Sequence, residues 1–78
     1  MDIESITSVA RARRMAREGE GLRVRLDLGL SLADVASLVG VSLSTLSRWE
    51  RHQRIPRGAQ AIRYQAVVQD LVRRGDGL

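Results

Sequence analysis

The chain has 78 residues, 44% of them apolar, and a net charge of +4. That describes one small domain with enough apolar content for a core, and too much for a disordered tail. There is no cysteine and a single histidine, His52, which excludes a disulfide framework and leaves too few soft ligands for an ordinary transition-metal site. No apolar run approaches the roughly 18 residues of a membrane span, and the acidic, amphipathic N-terminus does not read as a signal peptide. The expectation is a cytoplasmic protein with no membrane partner. All thirteen basic residues are arginine. Genomic base composition could produce that bias, and so could selection for phosphate and guanine recognition. The arginines form two groups: Arg11, Arg13, Arg14 and Arg17, then Arg48, Arg51, Arg54 and Arg57. Such clustering suits a polyanionic partner, the alternative being merely solvated faces.

One proline and the lack of any Asn-Gly or Asp-Gly pair argue against strands and hairpins. Apolar spacing is helical nearly throughout. Val9, Ala12, Met15, Ala16, Leu22 and Leu26 keep the period across Gly19 and Gly21. A first helix is predicted to start near Ser5, with Asp2 and Glu4 beside its N-terminus and a break near residues 19–21. Gly29 reads as a helix stop, with Leu30 folding back on Val24. Ser31 and Asp34 then make a start resembling a capping box for a helix over 32–39, with Val35, Ala36 and Val39 on one face. Gly40 ends it, and Ser42 caps the next helix, which carries Leu46 and Trp49 inward. Two or three residues separate these helices, so they must cross steeply. The pair Ile55-Pro56 closes the following loop. A last helix is predicted over 58–73, stopped by Gly75, with a frayed tail over 75–78.

The informative stretch spans residues 30–58, LSLADVASLVGVSLSTLSRWERHQRIPRG. Ala36 is small where two helices approach, and Val41, Leu46 and Trp49 bury the second helix. Its outer face carries Leu43, Ser44, Ser47, Arg48 and Arg51, short at the N-terminal end and cationic further along. That suits a major groove, where serine meets any base and arginine reads guanine.

These residues resemble the phage-repressor and Cro-like helix-turn-helix family, also called the XRE family. The likeness runs over residues 22–71 and rests on Val24-Arg25, Gly29-Leu30-Ser31, Val35-Ala36, Gly40-Val41-Ser42, Ser44-Thr45, Ser47-Arg48-Trp49-Glu50 and Pro56. It implies an all-α, compact, lambda-repressor-like domain of four to five helices. It also implies an Arg25–Glu50 ion pair tying the first core helix to the recognition helix over about 42–51. By the same likeness Leu43, Ser44, Ser47, Arg48 and Arg51 face bases, while Ser31, Leu32, Ser42, Thr45, Gln53, Arg54 and Arg57 lie near phosphates. Leu32 stands where members often carry a phosphate-touching Gln, so only its amide can serve there. His52 replaces a usual glycine, and histidine tolerates the left-handed conformation better than most residues.

The expected organisation is a helical extension over 1–19 and the helix-turn-helix domain over 20–74. The surplus apolar side of the last helix, at Ile62, Ala66, Val67 and Leu71, is a candidate dimer seam, unless that helix packs wholly within the monomer. The functional expectation is a sequence-specific double-stranded DNA-binding regulator, a homodimeric repressor at a palindromic operator. The alternative is an antitoxin-like or phage accessory module that binds a protein partner and uses its DNA face for autoregulation. No catalytic constellation is visible and no cofactor is expected.

Overall fold

The computed structural model describes residues 2–76, and over these the chain is all helical. Helix α1 spans Ile3–Arg17, α2 Glu20–Asp27, α3 Leu32–Val39, α4 Leu43–Glu50 and α5 Gly58–Asp76. Helix α1 begins at Ile3 rather than near Ser5, because the Asp2 carboxylate accepts the Ser5 amide at 2.7 Å and so acts as the cap itself.

The predicted break falls at Gly19, whose φ of +73° places it in the left-handed region between α1 and α2. Gly21 plays another part. It lies inside α2, buried, and a Cβ there would collide with the Tyr64 hydroxyl. Its missing side chain lets α2 approach α5.

The end of α2 is a Schellman turn. The Gly29 amide donates to Leu26 O at 3.1 Å and the Leu30 amide to Arg25 O at 3.0 Å. Ser31 and Asp34 form the full capping box. At the end of α3 the amides of Gly40 and Val41 both donate to Ala36 O. Helix α4 closes in the manner of α2, with His52 at φ +63° and the Gln53 amide donating to Arg48 O at 2.8 Å.

The core joins Val9, Ala12, Met15 and Ala16 of α1 to Val35, Ala36 and Val39 of α3, Leu46 and Trp49 of α4, and Ala61, Tyr64 and Val68 of α5. Trp49 and Tyr64 meet edge to face, with centroids 5.0 Å apart. The segment ahead of Gly19 is thus built into the same core as the rest. Gly75 does not stop α5. The helix continues to Asp76, and Leu28, just after α2, lies close beside Gly75. The rest of the expected frayed tail, residues 77 and 78, lies outside the described residues.

Candidate nucleic-acid interface

Helix α4 is held by one face and presents the other. Leu46 and Trp49 are buried, and Ser42 caps the first turn by accepting the Thr45 amide at 3.1 Å. On the opposite side Leu43 is 51% exposed; Ser44, Arg48 and Arg51 are exposed, and Ser47 is half-buried. Arg25 of α2 grips the far end of the helix. Its Nε and Nη2 donate to the two Glu50 carboxylate oxygens, both at 2.8 Å, while Nη1 donates to Leu30 O at 3.0 Å. The two side chains are 12% and 7% exposed. The paired bond to Glu50 holds the Arg25 proton more tightly than usual, outweighing the opposing effect of burial.

Between Asp34 and Asp70 the chain carries one acid, Glu50, and five arginines. Glu50 is committed to Arg25, and the Asp34 carboxylate accepts the Ser31 amide. Neither forms an ion pair with Arg48 among the described residues, so the cationic end of α4 is not internally neutralised.

The expected phosphate contacts divide. Gln53, Arg54 and Arg57 are exposed in the segment after α4. Leu32 packs against the core, so its side chain is structural. At the start of α3 the Ser31 hydroxyl accepts the Asp34 amide, and the nearby Asp34 carboxylate is held below its usual range by the Ser31 amide. That negative charge opposes a phosphate at the same helix end. The first turn of α4 contains no acid. There the Ser42 hydroxyl donates to Thr45 Oγ1 at 2.9 Å, and the half-buried Thr45 supports the cap.

The arginines of α1 line more than one concavity, and Arg17 is shared between the one holding Arg13 and the one holding Arg11 and Arg14. Arg13 and Arg17 line a groove of about 250 Å³ with His52 and Arg54, alongside Trp49 and Ile55. Arg13 Nε also donates to Pro56 O at 3.4 Å. Arg11 and Arg14 share a different concavity with Glu18 and Glu20. Arg63, which the sequence did not single out, donates Nε to Val39 O at 2.8 Å and so satisfies the end of α3 from α5.

The helix-turn-helix family matches residues 22–67, which takes in α2, α3, α4 and the first half of α5. The chain belongs to the helix-turn-helix family. It is a DNA-binding protein of the XRE type, a class of transcription regulators. No curated protein and no solved structure matches it. In this helix-turn-helix protein α3 and α4 lie within the matched span, joined by the short turn at residues 40–42. Among the described residues no helix is long and apolar enough to cross a membrane. Of the residues expected to form a dimer seam, Ile62, Val67 and Leu71 are partly buried against the protein's own core, and only Ala66 is exposed.

Proposed function

We propose that this regulator is a repressor that reads a palindromic operator as a homodimer, with α4 in the major groove of each half-site. The supporting observation is the outward face of α4: Leu43, Ser44, Ser47, Arg48 and Arg51 face away from the core, with no carboxylate among them and none paired to Arg48. On this reading Arg48 meets the O6 and N7 of guanine, Leu43 packs on a thymine methyl and the serines take nearby base edges. Gln53, Arg54 and Arg57 hold phosphates and set the register. Repression follows by occupancy, since a duplex held in this way is closed to polymerase.

Selection from random duplexes at roughly 50 and 200 mM salt tests the reading, because phosphate-only binding falls steeply over that range. An inverted repeat that survives the higher salt is the expected result. Binding without enrichment refutes sequence reading. On the selected site Arg48→Ala is expected to cost about 1–3 kcal/mol and to relax preference at one base pair. An equal loss on selected and random duplexes removes Arg48 from base reading.

A further inference from the structure

We infer that α1 is a second DNA-contacting element: Arg17 of α1 and Arg54, facing the same groove, each hold one of two adjacent backbone phosphates of the duplex that α4 enters. The inference rests on the proposed placement of α4 and adds a contact from outside the matched span of residues 22–67.

Three observations converge on it. The groove is built where α1 passes the C-terminal end of α4. Arg13 and Arg17 come from α1, Trp49 from α4, and His52 and Arg54 from the turn that follows. It is therefore continuous with the segment bearing Gln53, Arg54 and Arg57. Its charge is of one sign. No carboxylate lines it, and none of its arginines has an ion-pair partner among the described residues. Arg11 and Arg14 lie outside this groove and beside Glu18 and Glu20, although they line a further concavity with Arg17. Lastly, the lining is mixed, with Ile55 57% exposed among the cationic groups. A sugar-phosphate chain has matching chemistry: an anionic oxygen for the guanidinium forks and an apolar deoxyribose edge for Ile55. The bond from Arg13 to Pro56 O holds α1 against this loop, so Arg13 positions the groove and Arg17 is free to bind.

The test is the salt dependence of binding to the selected duplex, measured for the whole protein and for Arg17→Ala, Arg17→Lys, Arg11→Ala and Arg54→Ala. Each lost phosphate contact lowers the slope of log K against log salt by about 0.9, so raising salt from about 50 to about 200 mM should weaken wild type roughly 3- to 4-fold more than the variant. Arg17→Ala and Arg54→Ala are each expected to show that loss with an unchanged selected sequence. Arg17→Lys should keep the slope, and Arg11→Ala should behave as wild type. If Arg17→Ala keeps the wild-type slope while Arg54→Ala loses it, the α1 contact is refuted and the role of α4 stands. An equal effect of Arg11→Ala refutes the singling out of Arg17. A wild-type protein that binds no duplex overturns the inference together with the reading beneath it.

Discussion

Arg25 and Glu50 show what one pair of residues does in a domain this small. Each is almost withdrawn from water, and each supplies the charge the other needs. Removing one member leaves the other buried and uncompensated, so Glu50→Ala is expected to lower stability by about 3–5 kcal/mol. The single tryptophan, Trp49, makes denaturant unfolding followed by fluorescence the direct measurement. Tyr64, packed on that indole, titrates under the same neighbours. Burial, helped by the carboxylates of Glu50 and Glu20, raises its hydroxyl from the ordinary 10.0 to about 12, with Arg25 opposing. A raised folded value means that stability is intact below pH 10 and is lost as pH climbs from there through about 12, because the unfolded chain ionises first. The loss at the top of that window is about 3 kcal/mol. Absorbance of this one tyrosine against pH should show ionisation delayed to the unfolding transition, and Tyr64→Phe should flatten the alkaline fall. Ionisation at the free tyrosine value in a folded protein contradicts this account.

At the scale of elements, four helices end on a left-handed residue, at Gly19, Gly29, Gly40 and His52. The turn at Gly40 joins α3 to α4 and so sets the angle between them, which sets which face of α4 is outward. Gly19 and Gly21, two residues apart, answer to different demands. Gly19 needs a positive φ and has open space around it; Gly21 has ordinary helical angles and no space. Asn at 19 should therefore be tolerated, since Asn visits the left-handed region readily. Gly21→Ala should destabilise by about 1–3 kcal/mol through overpacking against Tyr64. In a domain of this size that is a fall in Tm of roughly 4–8 °C for each kcal/mol. Thermal melts of the two variants side by side check the contrast, and a Gly21→Ala protein as stable as wild type removes the close approach as the reason for that glycine.

At the scale of the molecule, a palindrome read by two copies sets their recognition helices roughly 34 Å apart, on adjacent turns of one DNA face. On the proposed reading the half-sites are then about 10 bp apart. The seam expected on α5 is mostly consumed by the protein's own packing, so a homodimer has little exposed apolar area there. The expectation is weak association in solution and joint binding on the operator. Sedimentation should give monomers at micromolar concentration, with two copies per inverted repeat and loss of cooperativity when the half-site spacing is changed by about 5 bp. Independent binding at every spacing refutes the dimer.

Local chemistry made much of this protein legible in its sequence. The caps at Ser31 and Ser42, the stops at Gly29 and Gly40, the inward set of Val35, Val39, Leu46 and Trp49 and the outward row on α4 each follow from residues within one turn of one another. The Arg25–Glu50 pair came from likeness to a family, since nothing local joins residues so far apart in the chain. What tertiary structure alone decided has a common cause in long-range packing. Burial of α1 against α5 made the N-terminal segment part of the core. The Tyr64 hydroxyl required Gly21 to lack a side chain. The passage of α1 beside the end of α4 brought Arg13 and Arg17 into one groove with Arg54. Periodicity tells which residues share a face; only the packed chain tells what that face meets.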